Sequence, residues 1–259
     1  MKILMVCPIP AEYAACRESL SLRDQPRLAG CRASRGMIGG CELEALESGP
    51  AKARAAAAAA AGILARAPDL VLDTGSCAGI EEGAVIGEIV LGRECFESDI
   101  SGSCFPRNSI PEMRLPSAFG FLPAEAREAL QAEAVERGQE TGVRVRPGNQ
   151  VCGEFLIHSL QMRAELYRLF QASAGNWETA GVFVAALKNS LPALSFRVIT
   201  DLGDGQALRD FRRNIKARSR ELYRYLGNLM EYGWFERFRE HWSRLEAAVL
   251  QRLPGAVLP

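Results

Sequence analysis

Three acidic side chains in this sequence stand where a carboxylate is either useful or costly. Glu12 opens a helical stretch just behind an apolar run, residues 2–8. Glu178 leads into a segment that is otherwise apolar, Val182-Phe183-Val184-Ala185-Ala186-Leu187. A charge entering such a helix must be paired or line a cavity, because bare burial is expensive. Asp201 ends the apolar run 194–200, which also carries Arg197. Those two positions have the same parity, so in an unbroken strand both side chains point to one face. Acids at strand ends are groups from which general acid–base chemistry is built. Each also has a plainer reading: Glu12 and Glu178 as partners of a helix dipole, Asp201 as a helix cap. A fourth feature is Thr74-Gly75-Ser76-Cys77-Ala78-Gly79, read as a small-residue turn after a buried strand. Such a loop lets a ligand approach backbone N–H groups. It is neither a Walker loop nor G-x-G-x-x-G.

The elements that must position these groups follow from periodicity. Fully apolar runs of strand length occur at 2–8, 69–74 and 194–200, with further strands at 41–46, 86–91 (extending toward 97) and 143–152. Helices are expected over 11–20, 51–67, 123–137, 158–170, 176–187, 206–232 and 234–253. Residues 101–117, with three prolines and little periodicity, read as a surface loop. Alternating strands and helices predict an α/β fold: one three-layer α/β/α domain over 1–259 around a central mixed twisted sheet, with 232–259 as an extra helical tail. In such sheets ligands bind at the carboxyl ends of strands.

Composition narrows the partners. Lys plus Arg and Asp plus Glu are each 31, so no net charge draws the chain to nucleic acid or an anionic membrane. Only two histidines, His158 and His241, are present, which excludes a multi-histidine metal site. None of the eight cysteines forms C-x-x-C, and most sit in apolar runs; reduced, buried thiols in a cytoplasmic protein are expected. The amino-terminal apolar run is too short for a secretion signal, and nothing reads as a membrane span.

In order and spacing, the motifs resemble the nucleoside phosphorylase and nucleosidase superfamily, most closely its 5′-methylthioadenosine/S-adenosylhomocysteine nucleosidases. Gly49-Pro50-Ala51-Lys52 is similar to the family's Gly-x-Gly-Lys entry to an alanine-rich helix, and Asp73-Thr74-Gly75-Ser76 to its Asn-Thr-Gly-Ser. Gly87-Glu88-Ile89-Val90 resembles Gly-Asp-Ile-Val, Trp177-Glu178 falls on Met-Glu, and Arg197-Val198-Ile199-Thr200-Asp201 on Arg-Ala-Ile-Ser-Asp. The resemblance spans residues 1 to about 230. It implies a nucleosidase that hydrolyses the N-ribosidic bond of a purine-type nucleoside and needs no metal or organic cofactor. Asp201 would protonate N7 of the base, with Ser76 orienting it. Glu12 would position and deprotonate water, with Arg197 as its partner. Glu178 would hold the ribose hydroxyls, and Gly79, Phe155, Leu156 and Trp177 would contact the substrate. A homodimer or larger homo-oligomer is implied as well.

The chain also departs from that family. Asn176-Trp177-Glu178 stands where Glu-Met-Glu is common, so one acid is lost and an indole replaces a thioether. The tail carries Trp234, Phe235, Phe238 and Trp242, which serve either core packing or an oligomer surface. Phosphate as a nucleophile would need convergent arginines. Residues 8–13 and 70–74 contain none, and Arg17 and Arg54 are expected on helix surfaces, which favours water. Futalosine hydrolase, a nucleoside phosphorylase, and a non-catalytic nucleoside-binding protein are the alternatives on the same fold.

Overall fold

The computed structural model describes residues 1–100 and 113–245. Its centre is a mixed sheet in the order β10-β6-β8-β9-β5-β1-β4-β3-β2, with β7 added to β6. β1 (Lys2–Cys7) runs parallel between β4 (Cys41–Glu47) and β5 (Leu70–Gly79). β5 also pairs with β10 (Ala193–Asp201) in parallel and, through Ala78 and Gly79, with β9 (Ala172–Asn176) in antiparallel. β6 (Ile89–Glu97) and β8 (Val145–Cys152) complete the connection from β10 back to β9, so five strands close into a ring. β1, β5 and β10 are apolar almost throughout because both of their faces are covered.

Helices cover the two faces. On one lie α1 (Pro10–Ser19), α3 (Ala124–Glu140), α6 (Ala207–Glu231) and α7 (Trp234–Ser243); on the other lie α2 (Lys52–Arg66) and α5 (Thr179–Lys188). The α/β expectation with a mixed sheet holds. The tail aromatics resolve to core: Trp234, Phe235, Phe238 and Trp242 are all buried and pack with Phe119 and Phe196. Full burial of such a side chain is worth about 1.5–3 kcal/mol. The rest of the expected last helix, from residue 246, lies outside the described residues, as does most of the expected loop from 101. Among the described residues, no helix is long and apolar enough to cross a membrane. Six cysteines are buried free thiols, Cys31 is half-buried, and Cys104 lies outside the described residues.

Several elements differ from the sequence expectation. The hairpin β2 (Arg23–Leu28) and β3 (Cys31–Ile38) gave no periodic signal, because β2 is an exposed edge strand rich in charge. β9, Ala-Ser-Ala-Gly-Asn, has no β-forming composition and is held by its burial and by pairing with β5 and β8. The segment Thr74–Gly79 is not a turn but the second half of β5. Arg114–Pro116, expected as loop, forms β7 against β6. Finally, β10 carries a bulge between Ile199 and Asp201, so the parity that placed Arg197 and Asp201 on one face does not run through to Asp201.

The α2–α5 contact fixes the helix ends that border the site. α2 presents Ala55, Ala59 and Gly62 inward, and α5 answers with Gly181. A Cβ on Gly181 would lie 2.2 Å from the Lys52 carbonyl oxygen. Helix propensity alone would make Gly181→Ala stabilising by about 1 kcal/mol. We expect the opposite sign, a loss of about 1–3 kcal/mol, because a rigid backbone must move to admit the methyl group. The midpoint of urea unfolding decides this; a midpoint at or above that of the parent would contradict the close approach.

Candidate active site

Three strand ends converge on one cavity. Glu12 comes from the first turn of α1, immediately after β1. Its Oε2 accepts from the Ile9 backbone N–H (3.1 Å), so the expected helix-terminal role is present. Its Oε1 does something more: it accepts from Ser76 N (2.7 Å) and Ser76 Oγ (2.6 Å) across the sheet. This bond needs Gly75. With φ +139°, a side chain there would be strained, and its Cβ would lie 2.9 Å from Arg197 Nη1 and 3.0 Å from Glu12 Oε1. Burial pushes the Glu12 carboxyl up to about 7, against the lowering influence of Ser76 and Arg197.

Arg197 has no exposure to water. Its Nε and Nη2 make a bidentate pair with Asp73, and its Nη1 donates to Glu178 Oε2 (3.1 Å) and the Ser76 carbonyl (3.3 Å). Asp73 accepts further from Thr179 Oγ1 (2.6 Å) and Ser195 Oγ (2.7 Å). Glu178 Oε1 accepts from the Ala51 N–H (3.0 Å) at the entry to α2. Burial raises the Glu178 pKa, with Arg197 opposing. Asp201 stands apart from this network. Its oxygens accept from Gly203 N (3.1 Å) and Thr200 Oγ1 (3.2 Å), and burial pushes it up to about 6.

These groups surround a cavity of about 360 Å³. Glu12, Ser76, Phe155, Leu156, Trp177, Glu178 and Asp201 all line it, so most residues singled out from the sequence meet in one place. Arg197 lies beneath the floor, not on it. Gly79 does not reach the cavity: its Cα faces Ala84 and Ile199, where an added Cβ would sit 2.9 and 3.1 Å from them. Two pairings also differ from expectation. Ser76 donates to Glu12 and not to Asp201, because both face each other across Gly75. Arg197 is close to Glu12 but spends its fork on Asp73 and Glu178. Trp177 is 40% exposed and donates Nε1–H to the Phe155 carbonyl (2.8 Å), which makes it a cavity wall and not a core residue. Sequence reasoning missed Asp73 as a partner, and it missed Leu208 and Phe211, which α6 brings to the rim. Asp73 was detectable by the argument applied to Glu178: a charge inside an apolar strand needs a partner.

The loop before α2 is strained. Ala51 holds φ +86° and ψ 153°, a region nearly restricted to glycine, at the position where the Gly-x-Gly-Lys pattern has its second glycine. Such conformations cost about 1–3 kcal/mol. Part of any relief in Ala51→Gly is offset by about 0.4–1 kcal/mol of added unfolded-chain entropy. The expected net gain is about 1 kcal/mol, or roughly 2–4 °C in Tm for a chain of this size. A thermal melt of the variant at or below the parent Tm would show that Ala51 carries no strain.

The model of the phosphorylase superfamily matches residues 2–230. A 5′-methylthioadenosine/S-adenosylhomocysteine nucleosidase of Haemophilus influenzae (strain 86-028NP) is 27% identical over 214 residues, covering 82% of this chain and 90% of that protein. Among solved structures, the futalosine hydrolase of Helicobacter pylori strain 26695 superposes with a TM-score of 0.78 at 21% identity, over 90% of this chain and 98% of the other. The Helicobacter pylori 5′-methylthioadenosine/S-adenosylhomocysteine nucleosidase with butyl-thio-DADMe-Immucillin-A gives the same TM-score, identity and coverage, so overall fold does not separate the two named activities. With the family model covering nearly the whole of the described sheet and its helices, the chain belongs to the phosphorylase superfamily.

Proposed function

We propose that this protein is an N-glycosyl hydrolase that cleaves the N-ribosidic bond of a purine-type nucleoside bearing a neutral 5′ substituent, with water as nucleophile. One observation carries the reading. The cavity is lined by three buried carboxyls, two of them pushed up to about 7 and about 6, and among the described residues no Lys, Arg or His lines it. A phosphate nucleophile or an anionic substrate would face those carboxyls with no cation on the cavity wall, since the Arg197 beneath it is already paired with Asp73 and Glu178. Water and a neutral nucleoside would not. The relatives named as nucleosidases support the same class.

The chemistry then divides among the acids. Protonated Asp201 donates to N7 of the base, which leaves with the electron pair of the breaking C–N bond. Glu178, held by Arg197 and the Ala51 amide, accepts from the ribose hydroxyls. Ionised Glu12, fixed by Ser76, takes a proton from water as its oxygen bonds to the anomeric carbon. Products are free base and free sugar. Phe155, Leu156, Ile9, Leu208 and Phe211 give the cavity an apolar lining that fits an uncharged alkylthio arm, and the Trp177 indole narrows it. Leu156, Trp177 and Leu208 are also partly exposed at the rim, a surface that a second copy of the chain would cover in a homo-oligomer. The free thiols fit a reducing, cytoplasmic setting.

A nucleoside panel tests the assignment: 5′-methylthioadenosine, S-adenosylhomocysteine, futalosine, adenosine and inosine, each with and without phosphate. Base and free sugar should appear in phosphate-free buffer, with the uncharged 5′-alkylthio nucleoside preferred. Strict dependence on phosphate, giving ribose-1-phosphate, would overturn it.

The acid–base roles set a pH dependence. Glu12 must be ionised and Asp201 protonated, and their raised values lie near 7 and 6. Toward acid Glu12 holds its proton; toward alkali Asp201 has lost its own. The kcat/KM profile should therefore be a bell with its maximum between about 6 and 7, its limbs belonging to the pair. Glu12→Gln should lower kcat at least ~10²-fold while inhibitor binding persists. A profile still rising above pH 8, or near-normal turnover in the variant, is incompatible with these roles.

A further inference from the structure

The strongest cluster outside the cavity lining is the buried network around Asp73. Asp73 is fully buried and takes both the Nε and Nη2 edge of Arg197, and it shares Thr179 Oγ1 and Ser195 Oγ with Gln150 Oε1 (3.1 and 2.9 Å). Gln150 Oε1 in turn accepts from Asn176 Nδ2 (3.3 Å). Positions 73 and 176 are thus the two ends of one polar chain. The sequence pattern has Asn-Thr-Gly-Ser and Glu-Met-Glu at these two places, whereas this chain has Asp73 and Asn176. An acid is missing at the cavity wall and an acid is present behind it.

We infer that Asp73 is a positioning residue that supplies the counter-charge of Arg197 from inside the sheet, in place of an acid at position 176, and so sets both the placement of Glu178 and the proton affinity of Glu12. The inference rests on the hydrolase reading only for its kinetic consequence. With Asp73 ionised, the Arg197 charge is shared between two carboxylates, and Glu12 feels only part of it across Gly75. With Asp73 neutral, the same guanidinium acts on Glu12 and Glu178 more fully. The other groups that face Glu12 are Glu178 at the start of α5, Cys77 on β5, and Tyr223 from α6, whose hydroxyl meets Thr74 Oγ1 at 3.1 Å. Asp201 stands across the cavity. Of these groups Glu178 is itself raised by the Asp73 charge, so it responds to the same change. The consequence for the site is that position 176, on the cavity wall, carries no charge: its amide is held by Gln150 and by the Glu178 and Thr179 N–H groups.

Three variants test this: Asp73→Asn, Asn176→Glu, and the double change. The Glu12 carboxyl is followed by 13C NMR titration of the ligand-free protein, which needs no substrate and so remains readable if the hydrolase assignment fails. Asp73→Asn should move the Glu12 midpoint to lower pH by at least about half a unit. Asn176→Glu, which leaves the Arg197–Asp73 pair intact and adds a negative charge, should move it to higher pH. The double variant should return it to within about 0.3 unit of the parent. With a nucleoside substrate, Asp73→Asn should lower kcat about tenfold or more and shift the maximum of the pH profile, whose limbs belong to the pair, to lower pH along with the NMR midpoint, and the double variant should recover most of that loss. If Asp73→Asn does not fold, recovery of a cooperative melt in the double variant reports the same compensation. An unmoved Glu12 midpoint in the folded Asp73→Asn protein, or a double variant no better than the single, would overturn the inference.

Discussion

A guanidinium with no access to water is the constraint on which this site depends. Taking Arg197 and its acids out of solvent costs several kcal/mol per ion, and only close, well-directed partners offset that. The fold meets the requirement by geometry. Parallel pairing of β5 and β10 sets Asp73 opposite Ser195 and Gly75 opposite Arg197. The Arg197 fork then reaches Asp73 on one side and Glu178 on the other. The absence of a side chain at Gly75 leaves the space that both the fork and Glu12 occupy beside a single backbone position. Remove any of these and a buried charge is left uncompensated, which is far more costly than the loss of a surface pair.

Around that fixed cation the three cavity acids differ in a way the proposed chemistry uses. Glu12 is held by three donors yet remains raised, because burial outweighs them. Asp201 has a backbone N–H and a neighbouring hydroxyl as its partners and is raised by burial as well. Both keep a proton in the folded protein at pH values where an unfolded chain has released it. Stability therefore falls as pH rises from the ordinary carboxylate range through about 7. The strained Ala51, whose amide holds Glu178, lies at the same site. These are costs located at the cavity, and the large aromatic core that α6 and α7 form against the sheet stabilises the frame that carries them.

The sequence by itself determined a good deal. Its apolar runs determined the buried strands, and its alternation of runs and amphipathic stretches determined an α/β sheet with helices on both faces. It also determined that Glu12, Glu178 and Asp201 needed an explanation, since a carboxylate at a buried strand or helix end is costly wherever the chain folds. The tertiary structure decided the pairings. Ser76 serves Glu12 and not Asp201, Arg197 serves Asp73 and Glu178, and the register shift near Thr200 breaks the parity between Arg197 and Asp201. It also decided that Gly75–Gly79 is strand, that β9 exists, and that the tail aromatics are core. The reason is physical: residue type and period report what one segment must bury, whereas hydrogen-bond partners depend on the register between strands far apart in the chain, which no local pattern encodes.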